Sequence, residues 1–377
     1  MRIGVIGLGM RASHVMKEIQ NVDPSCKIAA LVDPKHQQAS GIDSPAAYPL
    51  YNTPEEMLQQ EHLDGILIGT RCSLHTEMAL KVLPSGIPLY MEKPVSTNME
   101  DLVRLKAGYE AFGSNVVVSF PLRLTSIVQM AKEIIDSGKI GTVEHVQAVN
   151  NVPYGGVYYH SWYRDEQITG GMFLQKATHD FDYVHSLLGT KPTEICAMTS
   201  KQVFKGTKPA GLKCKDCEDN RTCEESTAYR SDVADDWEYC VFAEDTGNED
   251  SGSALIRYES GMHVSYSQNF FARRGAGRRG ARFLGYKGTL EFDFITGQLK
   301  VFMHHTPRVE TYDLGAGDGH FGGDTALAAN FIDLMRNRAG SRSLSTLEDG
   351  MLSALMCLKA KESAETGQFK RIDWCCS

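Results

Sequence analysis

Residues 1–122 alternate short apolar runs with amphipathic helical patterns. The helical patterns include PEEMLQQE and TEMALKVL, whose apolar residues recur every three or four positions. The apolar runs between them are RIGVIG, KIAALVD, GILIGT, IPLYME and NVVVSF. Alternation of strands and helices favours a parallel sheet that is covered by helices on both faces. We therefore predict a doubly wound α/β domain over residues 1–122.

The pattern changes from residue 123 onward. After the helical stretch SIVQMAKEIIDSG, strand-like runs follow one another, among them TEICAMTS, WEYCVFA, SALIRYE and HVSYSQNF. Several of the runs are joined by the turn sequences YESGM, GYKGT and ITGQ. We predict an α+β domain over residues 123–377 with a large, mostly antiparallel open sheet. It would carry a helix at about 172–188, a polar insertion or lid at about 204–235, and closing helices at about 323–363.

Composition narrows the classes of partner. The net charge of −8 offers no general attraction to nucleic acid or to anionic lipid. No apolar run approaches the roughly 18 residues that a membrane span needs, and the N-terminal run MRIGVIGLGMR is interpreted as a strand and not as a signal peptide. Ten cysteines, mostly scattered, are typical of reduced thiols in a cytoplasmic protein.

Three cysteines are clustered in KCKDCEDNRTC, at Cys214, Cys217 and Cys223. A tetrahedral zinc site takes four ligands, and no fourth ligand is evident near this stretch. We favour free thiols or a redox-labile pair and predict no metal, while a structural metal remains the alternative.

GLGMRA at residues 7–12 has the form G-x-G-x-x-A, and it follows a strand and opens a helix. Gly7 allows the tight turn, Gly9 lets a pyrophosphate approach the backbone, and Ala12 permits close helix–sheet contact. This context predicts a Rossmann nucleotide-binding domain, although a Rossmann-like domain that binds no nucleotide is the alternative.

The next strand ends in Asp33, at the distance expected for an acid that binds the ribose hydroxyls. A carboxylate there repels a 2′-phosphate, so we predict NAD in preference to NADP. Lys35 and His36 keep NADP open, since both could bind that phosphate.

The stretch LQKATHDFDYVH places polar residues at a helical spacing. On a wheel of about 100° per residue, its polar members share a sector of roughly 120°; these are Gln175, Lys176, His179 and Asp182. The apolar residues gather on the other side, namely Leu174, Ala177, Phe181, Val184 and Leu188. This arrangement is typical of a solvated polar face, and a functional face is the alternative.

Four motifs in this order resemble the Gfo/Idh/MocA oxidoreductase family: GLGMRA, GTRCSLH at 69–75, MEKPVS at 91–96, and the later GG…H-x-x-D. The resemblance covers nearly the whole chain. It implies a Rossmann domain followed by an open-sheet domain, with the nicotinamide in the cleft between them. A sugar or inositol ring would lie above the nicotinamide.

The resemblance also implies residue roles. Glu92 and Lys93 match the family's EKP pair, His179 matches its histidine, and Asp182 matches its trailing acid, which could instead fix the helix or orient a neighbour. The family usually has Asp where this chain has Gln175, a departure that removes the acid expected to orient the proton relay.

We expect three groups of site residues. The catalytic residues would be Lys93, His179 and Lys176. The cofactor-binding residues would be Gly7, Gly9, Met10, Arg11, Ala12, Asp33, Thr70, Arg71, His75, Glu92 and Lys93. The substrate-binding residues would be Arg123, His160, Trp162, Arg164, Gln175 and His320. Duller alternatives are an interdomain ion pair for Arg123, ordinary core packing for Trp162 and a helix-capping loop around His320.

Hydride transfer from a secondary alcohol needs a base for the hydroxyl proton and a cation for the developing alkoxide. His179 suits the base because an imidazole titrates near neutrality. Lys93 suits the cation, and burial in a cleft would lower its pKa.

FFARRGAGRRGARF holds five arginines, at positions 273, 274, 278, 279 and 282. Glycines interrupt the stretch and the chain is acidic overall, so we predict a subunit contact or a grip on an anionic substrate, and no nucleic-acid site.

Three functions follow from these features. The first is an NAD(P)-dependent dehydrogenase that acts on a secondary hydroxyl of a sugar, inositol or glycoside. The second is a glycoside hydrolase that uses NAD for transient oxidation and elimination, and the third is a non-catalytic NAD-binding sensor. By its resemblance to the family, the chain is expected to form a homo-dimer or homo-tetramer through the C-terminal sheet.

Overall fold

The structure, a computed structural model, describes residues 1–34, 48–315 and 320–374. Lys35 and His36, on which the choice between NAD and NADP partly depends, lie outside the described residues. No helix in the described part of the chain combines the length and the apolar character that crossing a bilayer would require.

A parallel five-stranded sheet forms the N-terminal part of the described chain. Its strands are β1 (Arg2–Ile6), β2 (Lys27–Val32), β3 (Gly65–Ile68), β4 (Leu89–Met91) and β5 (Val116–Val118), in the order β2-β1-β3-β4-β5. The connecting helices are α1 (Met10–Val22), α2 (Pro54–Gln60), α3 (His75–Val82) and α4 (Met99–Phe112). β3, β4 and β5 are buried along their whole length, as helices on both faces require. The predicted doubly wound fold is confirmed.

A nine-stranded sheet follows. Its strands are β6 (Val143–Asn151), β7 (Pro192–Ser200), β8 (Ser251–Tyr258), β9 (His263–Asn269), β10 (Arg278–Gly285), β11 (Gly288–Asp293), β12 (Gln298–Met303), β13 (Val309–Asp313) and β14 (Lys370–Arg371). The order is β13-β12-β11-β10-β6-β9-β8-β7-β14, and among these neighbours β6 and β9 run parallel while the others are antiparallel. This confirms the predicted mostly antiparallel sheet.

One face of the second sheet is covered and the other is open. Burial alternates strictly along β8, so that every second residue is buried. The open face contains a concavity of about 600 Å³ whose lining includes Met198 and Leu255, which are 75% and 50% exposed.

The strand predicted from WEYCVFA is wrong. Residues 201–250 are irregular apart from a short 3₁₀ turn at Cys214–Asp216 and isolated bridges that involve Tyr239 and Ala243. The backbone N–H groups of Glu238 and Tyr239 both donate to the carbonyl of His160 and not to a sheet neighbour. The carbonyl of His160 has therefore replaced the strand ladder that the apolar pattern suggested.

The remaining helices connect the two sheets. They are α5 (Ser126–Asp136), α6 (Val157–His160), α7 (Glu166–Thr169), α8 (Thr178–Leu188), α9 (Gly323–Met335) and α10 (Leu347–Thr366). The helix expected at 172–188 is in two parts, because a π-helical turn, Phe173–Ala177, precedes α8. Such turns are rare and occur often at functional sites.

The two closing helices, α9 and α10, pack against the N-terminal part of the chain. The limits of the two domains stay a prediction. Leu327 and Phe331 of α9 lie in the same apolar cluster as Ile3 and Val5 of β1. On α10, a side chain added at Gly350 would lie 2.8 Å from Val95, in the first α/β unit. The C-terminal helices therefore hold the two sheets together.

Candidate active site

The glycine-rich loop after β1 has the geometry of a phosphate-binding turn. Gly7 has φ of +81°, and a Cβ there would lie 2.8 Å from the backbone of Thr70, so only glycine fits. Gly9 precedes the first residue of α1, and the nearest atom to an added Cβ would be 3.9 Å away. Met10, the next residue, is 80% exposed. The N-terminus of α1 is therefore open to an anionic group.

Two further contacts shape this loop. A Cβ on Gly69 would lie 2.6 Å from the Cβ of Ala12, so the helix and the sheet approach as closely as the motif predicts. Asp33 follows the end of β2 and accepts a hydrogen bond from the backbone N–H of Leu8 at 2.8 Å. The residues present fit a dinucleotide.

His75 lies beneath this site and does not face the cleft. It is 1% exposed, and its Nδ1 and Nε2 lie 2.7 and 3.1 Å from the carbonyl oxygens of Pro94 and Thr70. Burial is the largest effect on its pKa, which is lowered. His75 therefore ties the loop after β3 to the EKP segment.

Arg11 was expected to contact the cofactor, but its guanidinium is held by protein carboxylates. Nε donates to Glu92 at 2.9 Å, Nη2 lies 3.2 Å from the hydroxyl of Ser119, and both terminal nitrogens bond to Asp324. His320 Nδ1 approaches the same Asp324 carboxylate at 2.9 Å. This network joins α1, the EKP segment and the start of α9.

Asp324 was missed by the sequence reasoning, although it stands in the glycine-rich stretch that singled out His320. Burial acts to raise its pKa, but the hydrogen bonds from His320 and Arg11 dominate and lower it. Because Asp324 stays ionised, its carboxylate orients the His320 ring. The centroid of that ring lies 5.6 Å from the centroid of the His179 ring.

Lys93 links the two halves of the cleft. Its Nζ donates to the carbonyl oxygen of Gln175 at 2.9 Å, which connects the EKP segment to the π-helical turn. Burial, with smaller contributions that include the Lys176 charge, lowers the pKa of Lys93 to about 8. The two parts of the chain that were expected to flank one cofactor are thus in direct contact.

Two glycines and a partly buried glutamate set the π-helical turn. Gly170 and Gly171 have φ of +77° and +100°, conformations that favour glycine. The Glu249 carboxylate accepts from the backbone N–H groups of Met172 and Phe173 at 2.9 and 3.3 Å. Burial raises the pKa of Glu249 to about 7.

The side chain of Gln175 is used inside the protein. Its Nε2 donates to the carbonyl of Thr169 at 2.7 Å and lies 3.5 Å from the thiol of Cys72. The carboxamide therefore stabilises the turn at Gly170 and Gly171. This geometry does not support the expected contact between Gln175 and a substrate.

Lys176 is 7% exposed and points toward the turn after β6. Its Nζ donates to the hydroxyl of Tyr154 at 2.6 Å and lies 5.4 Å from the ring centroid of Tyr158. Tyr154 was not identified in the sequence, because nothing local connects a turn residue to a lysine more than 20 positions later.

His179 is 4% exposed, and its Nδ1 has no hydrogen-bond partner. Burial is the largest of the effects that place its pKa well below the usual value, and the charges of Lys93 and Arg279 act in the same direction. The imidazole is therefore neutral near pH 7, and its Nδ1 is buried without a protein partner.

Of the two interpretations of this helical pattern, the solvated polar face is wrong, since Gln175, Lys176, His179 and Asp182 are all buried. The π-helical turn and the packing of α8 against the second sheet cover both sides of the helix. The neighbouring Asp180 was overlooked.

Asp180 is 0% exposed and is the centre of a polar network. Its carboxylate accepts from Arg279 at 2.8 Å, Asn150 at 2.7 Å and Tyr266 at 2.9 Å. These partners lie on β10, β6 and β9, so the network fastens α8 to the centre of the second sheet.

Asp182 forms a second buried pair, with Arg123. The guanidinium donates to Asp182 at 2.9 Å through Nε and to Asp349 at 2.7 Å through Nη1. Arg123 thus joins the start of the second part of the chain to α8 and α10. This is the ion pair that was the alternative to substrate binding, and a substrate role for Arg123 has no support in this geometry.

His160 and Arg164 are also engaged within the protein. His160 is 2% exposed and its Nδ1 lies 2.6 Å from the carbonyl of Tyr239. Arg164 is 5% exposed and donates to Asp245 at 2.6 Å. Both therefore bond to the irregular segment 201–250, and neither offers these groups to a substrate.

Trp162 is stacked between two neighbours. The Arg71 guanidinium lies 3.6 Å from its ring centroid, and the ring of Tyr163 is stacked at 3.8 Å. Arg71 follows β3, so this contact joins the nucleotide-binding loops to the segment before the glycine turn.

The arginine-rich stretch is not a continuous basic patch. Within it, Arg273 pairs with Glu225, Arg279 with Asp180, and Arg282 with Glu291. The positive charges are therefore largely compensated by carboxylates of the same chain.

Among the described residues, no group of three or more His, Cys, Asp and Glu side chains could hold a metal ion as placed. Cys214, Cys217 and Cys223 are free thiols. Burial is the main cause that raises the pKa of the Cys240 thiol. Cys214, Cys217 and Cys223 act on that pKa in the same direction.

Two family models match this chain. One, described as an oxidoreductase family with an NAD-binding Rossmann fold, matches residues 1–120; the other, the GFO/IDH/MocA C-terminal domain, matches residues 128–291. The fold and the matches define an oxidoreductase with an NAD-binding domain. The chain belongs to the Gfo/Idh/MocA family.

Individual relatives are distant. The scyllo-inositol 2-dehydrogenase (NAD(+)) of Bacillus subtilis is 25% identical over 204 residues, which are 52% of this chain and 56% of that protein. The myo-inositol 2-dehydrogenase of Thermotoga maritima is 23% identical over 212 residues, which are 56% of this chain and 62% of that protein. This chain spans little more than half the length of the curated relatives that it matches.

Among solved structures, a levoglucosan dehydrogenase in complex with NADH and levoglucosan is similar with a TM-score of 0.77. The match covers 99% of both chains at 16% identity. At this identity the likeness concerns the fold alone.

Proposed function

We propose that this protein is an NAD(P)-dependent dehydrogenase that transfers a hydride between nicotinamide and a secondary hydroxyl of a sugar, inositol or glycoside. The observation that carries the proposal is the hydrogen bond from Lys93 to the carbonyl of Gln175, at 2.9 Å. It brings the EKP lysine to the turn that carries Lys176 and leads to His179. The inositol dehydrogenases among its relatives support the substrate class.

Bound NAD would supply the hydride acceptor. The glycine-rich loop and the N-terminus of α1 would hold its phosphates, and Asp33 would bind its ribose. Because a carboxylate repels a 2′-phosphate, NAD is proposed as the cofactor in preference to NADP.

Two side chains would act on the substrate hydroxyl. Lys93, which is partly buried, stabilises the negative charge that develops on the oxygen. His179 accepts the hydroxyl proton, because the imidazole is neutral before the reaction.

The test is to incubate the purified protein with NAD and a panel of sugars, inositols and glycosides while the absorbance of NADH is recorded. We expect NADH with at least one member of the panel, and slower turnover with NADP. Release of the leaving group from an aryl glycoside without net NADH would favour the glycoside hydrolase, and NAD binding without either reaction would favour the sensor.

We also propose that the open face of the second sheet pairs between copies of the chain. The exposure of Met198 and Leu255 on this face supports the proposal. Light scattering of the protein and of Met198→Glu would test it, with a dimer or tetramer expected for the first and a smaller species for the second.

A further inference from the structure

Tyr154 is hydrogen-bonded to Lys176, a buried lysine beside the cleft. Its side chain is 53% exposed, yet its hydroxyl accepts a hydrogen bond of 2.6 Å from Lys176, which is 7% exposed. Lys176 is the residue after Gln175, whose carbonyl binds Lys93. Tyr154 therefore lies beside the cleft, and about half of the residue is exposed.

The backbone fixes Tyr154 in this position. The following residue is Gly155, where an added Cβ would lie 2.1 Å from the carbonyl oxygen of Phe270. The N–H of Gly155 also donates to the carbonyl of Val152 at 3.2 Å. The turn is thus packed onto the end of β9, and the phenol is held there without help from a ligand.

The charges around Tyr154 favour its ionised form. Burial acts to raise its pKa, but the Lys176 ammonium and the Arg279 guanidinium outweigh that effect, so the pKa is lowered although Asp180 opposes them. By contrast, burial raises the pKa of Tyr158, which faces Tyr154 from α6. At a given pH a larger fraction of Tyr154 than of an ordinary tyrosine is therefore ionised and able to accept a proton, whereas Tyr158 stays protonated.

His179 has the opposite difficulty. Its imidazole can accept a proton, but it is buried, and Lys93, Lys176, Arg279 and His320 all oppose a positive charge on it. A proton that reaches His179 is therefore unstable there and needs a further acceptor that has access to water.

We propose that Tyr154, held by Lys176, is a second acid–base residue of the cleft, which takes the substrate proton from His179 and releases it to solvent. This inference rests on the proposed dehydrogenase function. In the oxidation, the C–H bond breaks and its electron pair leaves with the hydride to the nicotinamide. The O–H bond breaks, the proton passes through His179 to the Tyr154 phenolate, and the carbon–oxygen double bond forms. Water then removes the proton and restores the phenolate.

The first test uses the protein without cofactor or substrate. Tyrosinate absorbance is titrated against pH for the wild type, Tyr154→Phe and Lys176→Met, with Tyr286→Phe as the matched control because that side chain is 78% exposed on a turn of the second sheet. We expect one tyrosine that ionises below pH 10 in the wild type, its loss in Tyr154→Phe, and its shift to higher pH in Lys176→Met. The control should titrate like the wild type at the low-pH step.

The second test is kinetic. Tyr154→Phe should lower kcat by about 10²-fold, within the usual range for loss of an acid–base group, while KM changes little. The rise of kcat with pH that reflects the ionisation of Tyr154 should disappear in this variant and move to higher pH in Lys176→Met. A merely structural role for the phenol would not move this limb of the pH profile.

The outcomes separate the two proposals. A wild-type enzyme that turns over, with Tyr154→Phe showing the same kcat and pH profile, would overturn the role of Tyr154 alone. A low-pH tyrosinate signal that persists in Tyr154→Phe would overturn the tyrosine–lysine pair. A wild type that forms no NADH with any substrate would count against the dehydrogenase, and the titration would still decide whether the pair exists.

Discussion

The two walls of the cleft hold their polar groups by different means. On the wall of the first sheet, Gly7, Gly9 and Asp33 form a loop whose shape follows from backbone conformation and from one short hydrogen bond. On the opposite wall, α8 carries Asp180 and Asp182, each neutralised by an arginine from a distant part of the chain. The first wall is a local structure, while the second depends on buried ion pairs.

This difference predicts which property a substitution changes on each wall. A glycine loop is changed by any added side chain, whereas removal of one partner from a buried pair leaves an uncompensated charge. Substitutions in the second wall should therefore lower the stability of the fold strongly. Substitutions in the first wall should mainly lower the affinity for the ligand. The following predictions test that division, from the largest effect to the smallest.

Asp180→Ala should reduce the free energy of unfolding by about 3–5 kcal/mol, because Arg279 would remain buried without its carboxylate. Urea unfolding followed by circular dichroism measures the change. Asp232→Ala, which removes an exposed pair with Arg230, is the control and should cost less than about 1 kcal/mol. Equal losses in the two variants would contradict the buried-network account.

Lys93 should give stability a distinct pH dependence. Burial lowers its pKa from 10.5 to about 8, so the folded protein carries a penalty on the order of 3 kcal/mol below pH 8, where the buried amine is charged. The unfolded chain binds the extra proton between pH 8 and 10.5, so folding becomes more favourable as pH rises through that window.

The measurement is the unfolding free energy of the wild type minus that of Lys93→Met, taken without cofactor at several pH values. The difference should shift in favour of the wild type above pH 8. A flat difference between pH 7 and 10.5 would show that the amine is not desolvated.

His179→Ala should lower kcat by about 10²-fold, because the acceptor for the hydroxyl proton is lost. Calorimetry should give the same NAD affinity as the wild type, since the imidazole lies on the wall opposite the glycine loop. Turnover at the wild-type rate would remove His179 from the mechanism.

Asp33→Asn should weaken NAD binding by about tenfold, roughly 1.4 kcal/mol, because an amide is a poorer acceptor for ribose hydroxyls. The amide oxygen can still accept from the N–H of Leu8, so the loop should keep its shape. NADP affinity should fall less or rise. A parallel loss for both cofactors would mean that Asp33 acts only through the loop.

Within the second wall, Lys176 and Tyr154 show which contacts a sequence pattern can predict and which it cannot. A helical wheel brought Gln175, Lys176 and His179 together, but it assigned them to solvent. The π-helical turn and the neighbouring sheet bury all three, and their partners come from other elements. No helical spacing rule could supply Lys93 as the partner of Gln175, 82 residues away, or Tyr154 as the partner of Lys176, 22 residues away.

The sequence by itself determined the order of strands and helices, the phosphate-binding loop, the EKP segment and the histidine of the second wall. The elements and the loop depend on local periodicity and on glycine conformations, which a single stretch of chain specifies, whereas the EKP segment and the histidine were identified from the resemblance to the family. The tertiary structure alone decided that Arg11 binds Asp324, that Arg279 neutralises Asp180 and that Tyr154 meets Lys176. The physical reason is that a buried charge takes its partner from whatever the packed sheets and helices bring near it, and that proximity is a property of the whole fold.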